Sequence, residues 1–174
     1  KNNFSKFING PISKRYFLRK KFSGITEYLA SKTNTTNKVV MLIYNKKLSV
    51  SPITTHIPLK DVHKNLSKTK IKKQIILISK FYEKKFKKKI KIAVTGLNPH
   101  CESNYTSSEE NKIIKPAIKD LTYKKYSVYG PFPADTIFMK EQSKKYEVII
   151  GMYHDQVLTP LKTLFGFNAI NITL

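Results

Sequence analysis

The sequence predicts an α/β fold with an at least partly parallel sheet. Three observations predict it. Short Val- and Ile-rich runs alternate along the chain with segments of helical period. One of those segments, residues 68–88, is strongly amphipathic: Ile71, Ile75, Ile78, Tyr82 and Phe86 fall at spacings of 4, 3, 4 and 4, with Lys on the other face. No repeat or low-complexity linker interrupts the alternation.

Residues 1–21 show no clear period and carry scattered Lys, with a turn at Gly10-Pro11. Residues 25–32 (ITEYLASK) form a short helix. Residues 38–44 (KVVMLIY) make a buried strand, Asn45-Lys46-Lys47 a turn, and 48–55 a second strand that pairs with the first as a hairpin. Pro58 opens a short helix through Leu66. After the long helix, residues 90–97 (IKIAVTGL) form a strand. Ser107 and Glu110 fit a capping box for a helix over 108–121, which Pro116 kinks or divides. Residues 126–129 form a short strand, and Pro131 and Pro133 open another helical turn. Residues 147–152 (EVIIGM) are a buried strand, 155–165 a helix interrupted at Pro160, and 169–174 a last strand.

The chain's 174 residues, 40% hydrophobic and 25% charged, suffice for one domain or two small lobes around a real core. No apolar run approaches the roughly 18 residues of a membrane span. Lys1 to Lys6 are polar and basic, unlike a secretory leader. The single cysteine, Cys101, excludes an internal disulfide and a cysteine-based zinc site, and fits a reducing compartment. With no initiator Met, and an apolar run at Leu174, both ends look cut, so a fragment is expected.

The net charge of +22 invites a nucleic-acid reading. The composition opposes it. Of 33 basic residues all but Arg15 and Arg19 are Lys, whereas Arg supplies the bidentate base and phosphate contacts. Abundant Lys, Ile and Asn are what an AT-rich coding sequence yields. The runs Lys84-Lys85 and Lys87-Lys88-Lys89 close a helical segment, where cations suit the dipole and solvent. A solvated face is the expectation.

Of the four histidines, His56, His100 and His154 each follow a strand almost immediately. Ligand sites of open α/β sheets gather at the carboxyl ends of strands. Three neutral imidazoles delivered there suit a catalytic divalent metal; the alternative is that each merely ends a strand in a loop. His63, in a short polar helix, reads as surface. Asp155 reads as an N-cap of the next helix or as a carboxylate beside the metal, and Asp135 has the same double reading. Lys162 lies two helical turns past Asp155, on one face with it if Pro160 leaves the register intact. No G-x-G-x-x-G and no P-loop occurs. Cys101 beside His100 is not triad geometry.

Several motifs now line up. Gly96-Leu97-Asn98-Pro99-His100, Glu109-Glu110, Ile114-x-Pro116-Ala117-Ile118, Gly130-Pro131-Phe132-Pro133-Ala134-Asp135-Thr136, Tyr153-His154-Asp155-Gln156, Pro160-Leu161-Lys162 and Asn171-Ile172-Thr173-Leu174 follow in order. Upstream stand Gly10-Pro11-Ile12, Phe22-Ser23-Gly24-Ile25-Thr26-Glu27 and Thr54-Thr55-His56-Ile57-Pro58-Leu59. Together they resemble the 4-hydroxythreonine-4-phosphate dehydrogenase family of pyridoxal phosphate biosynthesis, over nearly the whole chain. The resemblance implies three metal ligands at His56, His100 and His154 (Zn, Mg or Co), and substrate-binding residues at Thr26, Lys162 and Asn171. It implies NAD as oxidant, bound without a Rossmann fingerprint, and a β-keto acid product that decarboxylates. It also implies a three-layer α/β/α, two-lobed architecture like that of the isocitrate and isopropylmalate dehydrogenases. The expected assembly is a cytoplasmic homodimer with a shared active site and neither nucleic-acid nor membrane partners.

On this reading residues 1–174 are a partial dehydrogenase chain of central and C-terminal-lobe segments, inactive alone. Asp135, Asp155 and a metal-bound water are the candidates for the proton acceptor. The family usually has His where Ile25 stands, and an apolar side chain cannot donate a hydrogen bond to a phosphate. Its glycine-rich stretch is replaced here by Cys101 to Ser108, which removes freedom for positive φ and requires the loop to take another path. Two alternatives remain: a sister dehydrogenase acting on a four-carbon sugar-acid phosphate, and a basic non-enzymatic binding protein.

Overall fold

Six strands form one sheet in the computed structural model: β1 (Met41–Tyr44), β2 (Ser49–Thr54), β3 (Ile92–Thr95), β4 (Val128–Phe132), β5 (Val148–Tyr153) and β6 (Ile170–Thr173). Their spatial order is β4-β3-β5-β2-β1-β6. The four neighbours β4, β3, β5 and β2 run parallel, while β1 pairs antiparallel with both β2 and β6. The structure describes residues 10, 12–13, 15–16, 22, 25–33, 39–101 and 105–174. Most of the irregular stretch 1–21, with Pro11 of the expected turn, lies outside the described residues, as do Ser23, Gly24, Lys38 and residues 102–104.

The chain divides into two units, Lys1–Val39 and Val40–Leu174. The first contains α1 (Ile25–Lys32), as expected, closed by Thr33 N–H on the Leu29 carbonyl at 2.9 Å. Within it the Phe22 ring meets Tyr28 edge-on at 5.5 Å.

In the second unit, alternation along the strands sorts side chains onto two faces. Val148, Ile150 and Met152 of β5 and Ile92 and Val94 of β3 share a core with Ile71, Ile75 and Ile78 of α2 (Lys68–Phe86) and Leu121 of α3 (Lys115–Tyr123). Ile149, Ala93 and Val50 face the other way, onto Val157, Leu158 and Leu161 of α5 (His154–Phe165). Helices cover both faces, which gives the expected three layers.

Local chemistry explains the boundaries. The Ser67 hydroxyl caps α2 by accepting from Lys70 N–H at 3.2 Å, and Lys87, in the left-handed region at φ 54°, ends it. Phe86, at the end of the expected apolar stripe, is 41% exposed but stacks on Tyr44 at 5.4 Å. Asp120 of α3 accepts from Lys72 and Lys68 of α2 at 2.6 and 3.0 Å. Pro52 stands inside β2, where proline is unusual; its carbonyl accepts from the buried Gln74 amide of α2 at 3.0 Å.

Several expectations are corrected. The segment opened by Pro58 is two 3₁₀ turns, Leu59–Asp61 and His63–Asn65. The capping serine of the next helical segment is Ser108, whose Oγ accepts from Asn111 N–H at 3.3 Å; the Glu110 side chain turns away from Ser107 altogether. That segment is divided next to Pro116, as expected: a π-helical turn, Glu110–Ile114, runs directly into α3, whose first turn holds Pro116. Pro131 lies within β4 after a cis Gly130-Pro131 bond and opens no helix, and Pro133 leads only into hydrogen-bonded turns. A short helix, α4 (Lys140–Ser143), was not foreseen. Pro160 leaves α5 continuous, so Asp155 and Lys162 do keep one helical register. Among the described residues no helix is long and apolar enough to cross a membrane.

Candidate active site

Parallel strands deliver their following loops to one edge, and here three histidine-bearing loops leave that edge. Thr54 of β2 pairs with Tyr153 of β5, so His56 and His154 emerge side by side. Their ring centroids are 5.8 Å apart, at an interplanar angle of 42°. A buried bond between the strand ends, Thr54 Oγ1 to the Met152 carbonyl at 2.8 Å, fixes this juxtaposition. On the other side of β5, β3 pairs through Val94 with Ile150 and ends in the turn Pro99–Cys101 that carries His100.

His56 and His154 line a cavity of about 280 Å³ with Thr55, Ile57, Leu59, Val62, Tyr153 and Asp155. His154 begins α5, and its Nδ1 lies 2.7 Å from Asp155 Oδ1. In the tautomer that protonates Nδ1, Asp155 accepts that hydrogen and Nε2 is the nitrogen able to ligate. Asp155 is thus not the N-cap: Tyr153 holds that position without a side-chain cap, because the carboxylate is turned to the imidazole one residue earlier.

The other expected residues are distributed as follows. His100 is exposed and adopts φ 58° and ψ 5°, and the neighbouring Cys101 has φ 54°, so both take left-handed backbone without being glycine. Asp135 lies exposed in the turns after β4, on the same edge. Lys162 is exposed two turns along α5, its ammonium 5.9 Å from the Phe167 ring centroid. Asn171, on β6, pairs with Ile43, which in turn pairs with Val50 near the start of β2. Neither Lys162 nor Asn171 lines the cavity of His56 and His154. Thr26 lies in α1, in the other unit. His63 is exposed and outside the cavity, as expected. Among the described residues no group of three or more His, Cys, Asp or Glu is arranged to hold a metal.

The thiol of Cys101 is buried, and burial pushes it up, away from the thiolate form. This agrees with its exclusion as a nucleophile. Sequence reasoning assigned no role to the polar groups behind the edge, Thr54, Thr95 and Gln156, and gave Glu110 the wrong one. Burial alone would raise the Glu110 carboxyl, yet hydrogen bonds from Asn98 (backbone and side chain), its own backbone and Leu97 hold it below its ordinary value. The available signal was a charged residue at a position that the helical pattern buries.

The fold and this edge define an α/β protein with its candidate ligand site at the carboxyl ends of parallel strands. The family model described as pyridoxal phosphate biosynthetic protein PdxA matches residues 1–174, and the chain belongs to that family. It is 42% identical over 171 residues to the 4-hydroxythreonine-4-phosphate dehydrogenase of Sulfurihydrogenibium sp. (strain YO3AOP1), covering 96% of this chain and 52% of that protein. It is 37% identical over 153 residues to the D-threonate 4-phosphate dehydrogenase of Salmonella typhimurium (strain LT2), covering 87% and 46%. The crystal structure of 4-hydroxythreonine-4-phosphate dehydrogenase from Klebsiella pneumoniae superposes with a TM-score of 0.78 at 38% identity, over 88% of this chain and 47% of that one. The chain spans about half the length of the curated relatives it matches.

Proposed function

We propose that the intact protein oxidises 4-hydroxythreonine 4-phosphate with NAD as hydride acceptor, giving a 3-oxo acid that decarboxylates, in the biosynthesis of pyridoxal 5'-phosphate. The observation that carries this reading is the pairing of His56 with His154 at the carboxyl edge of adjacent parallel strands, in a chain of this family. The donor set fits a divalent ion (Zn, Mg or Co): two adjacent imidazoles, one with its tautomer set by a carboxylate, beside an open cavity. His56 and His154, with His100 from the neighbouring loop, would hold that ion. Bound there, it would lower the pKa of the substrate's hydroxyl and stabilise charge on the oxygen as carbon dioxide departs.

The chain's own residues do the remaining work. Lys162 neutralises the anionic substrate, and Thr26 and Asn171 orient it. The hydroxyl proton passes to a carboxylate of the edge, Asp135 or Asp155. Because Lys162 and Asn171 stand outside the cavity lining, a homodimer with an active site shared between subunits is the assembly that fits. The two-lobed architecture of isocitrate-type dehydrogenases provides the cleft for it.

D-threonate 4-phosphate is the second reading. Ile25, standing where the family usually has a histidine, keeps it open, and the Salmonella relative carries that activity in its name. The test incubates the intact protein with NAD, a divalent metal and each substrate separately, and follows NADH. Faster turnover of 4-hydroxythreonine 4-phosphate supports the first reading. Preference for D-threonate 4-phosphate selects the second, and a folded protein that reduces no NAD with either would refute both.

A further inference from the structure

Two polar side chains outside the expected site converge behind the turn that carries His100. Glu110 is fully buried. Its Oε1 accepts from the backbone N–H groups of Leu97 and Asn98, both at 2.8 Å, and its Oε2 accepts from Asn98 Nδ2 at 2.9 Å. Glu109 Oε2 accepts from the same Nδ2 at 2.9 Å. A carboxylate is costly to bury unless its lone pairs are used. Among the described residues the donors to it, its own backbone apart, come from the two residues that lead into Pro99 and His100.

Gln156 works from the other side. Its Nε2 donates to the Gly96 carbonyl at 2.8 Å, while its Oε1 accepts from Met152 N–H at 2.7 Å and from Thr95 Oγ1 at 2.9 Å. It therefore staples the end of β3 to the end of β5, two residues after His154. The space is tight: a Cβ on Gly96 would sit 2.5 Å from Cys101 Sγ and 3.0 Å from Glu110 Oε1. The turn needs such support, because His100 and Cys101 occupy the left-handed region in succession without being glycine. Such backbone persists where its surroundings over-determine it.

We infer that Glu110 and Gln156 are positioning residues for the active site. Glu110 holds the Leu97–Asn98 backbone and Gln156 pins Gly96 to β5, so that together they fix His100 at the edge occupied by His56 and His154. The inference rests on reading that edge as a metal-holding active site.

The experiment uses the intact protein. Glu110→Gln keeps the size but replaces one acceptor oxygen with a donor, and Gln156→Met removes all three bonds of that amide. In metal-free protein, amide exchange at Leu97, Asn98, His100 and Cys101 should accelerate about tenfold or more, with Ile75 and Ile78 of α2 little changed. Affinity for Co²⁺ alone, read from its visible absorption, should fall about 10- to 100-fold, the usual scale for groups that orient metal ligands. Gln74→Met, which removes a buried amide elsewhere on the sheet, should leave both readouts in place. Unchanged exchange in the turn in both variants overturns the inference, and so does acceleration spread evenly over the sheet. If a variant fails to fold, Asn98→Ala cuts only the side-chain link and should show the same local signature in weaker form. A wild-type protein that binds no Co²⁺ defeats the metal reading, whereas the exchange data still decide whether the turn is held by these two residues.

Discussion

At the edge where β2, β3 and β5 begin, Glu147 does what Glu110 does where they end. Each carboxylate accepts from backbone N–H that flanks β3, one group for Glu147 and two for Glu110. Glu147 takes Lys91 N–H at 2.8 Å through Oε2 and the Lys88 ammonium at 2.8 Å through Oε1. Around it the beginning edge is built for stability. The Ser49 and Tyr82 hydroxyls bond at 2.8 Å, and Tyr44 stacks on Phe86. The Tyr82 phenol is pushed up to about 12, chiefly by burial and against the Ser49 hydrogen bond, so it stays neutral. The left-handed residues there, Lys87 and Lys125, only follow the ends of α2 and α3. At the finishing edge the left-handed residues are His100 and Cys101, and among the described residues the supporting carboxylate has no cation as a hydrogen-bond partner. One edge joins elements together. The other holds the exposed His100 in place with a buried carboxylate and two half-buried amides.

The comparison is broken most directly at His56. In the intact protein His56→Ala should lower turnover by at least about 10³-fold, roughly 4 kcal/mol of barrier. Because the side chain is exposed, unfolding stability should move by no more than about 0.5 kcal/mol. Steady-state kinetics and urea denaturation on the same sample check both. Activity within tenfold of wild type would remove the finishing edge from catalysis.

The next effect compares the two carboxylates. Glu110→Ala leaves two half-buried backbone N–H groups without their acceptor and should cost about 2–3 kcal/mol. Glu147→Ala, with Lys88 and water able to compensate, should cost about 1 kcal/mol. Urea midpoints at neutral pH measure both. Equal losses would mean that the two edges are equally braced.

Lys162→Ala tests the part of the site that lies outside the cavity lining. A lost charge-assisted hydrogen bond of about 1.5–3 kcal/mol should raise KM for the phosphorylated substrate at least about tenfold. An unchanged KM and kcat would show that Lys162 merely sits beside Phe167 on the surface.

What could be read from the sequence follows from period and position. Ile71, Ile75, Ile78 and Tyr82 announced α2 because a helix repeats its buried face locally. His56, His100 and His154 stood out because each closely follows an apolar run, and parallel pairing then carried their loops to one edge. The roles of Glu110 and Gln156 were hidden because their partners on the β3 side lie 12–13 and 60–61 residues away in sequence. No local pattern encodes such bonds. Pro160 misled for a related reason: proline removes one hydrogen bond, and the packing of Val157, Leu158 and Leu161 on the sheet outweighs it. Pro131 misled because a helix-opening residue also fits a strand end. Asp155 looked like a cap because its neighbour's imidazole, which accounts for it, carries no capping signature.

The smallest effect separates the edges by salt. Burial pushes both Glu110 and Glu147 up, and in both cases hydrogen bonds win and leave the carboxyl below its ordinary value of 4.5. A carboxyl whose folded value is depressed stabilises the protein above its unfolded value, and this contribution is lost as pH falls through the folded one. Stability should therefore decline below about pH 4.5, where the unfolded chain takes up protons first. The causes differ. Lys88 helps depress Glu147, and its side chain is 56% exposed, so that part is screened. Glu110 is depressed by neutral amides, which salt does not screen. Unfolding midpoints across the acid range should show Glu147→Gln flattening the decline by a few tenths of a kcal/mol at low ionic strength and less at about 1 M salt, where the Debye length is about 3 Å. Glu110→Gln should flatten it equally at both. If the contribution of Glu110 also shrinks in salt, lysines reach it through the finishing edge, and the contrast between an ion-paired brace and an amide-held one fails.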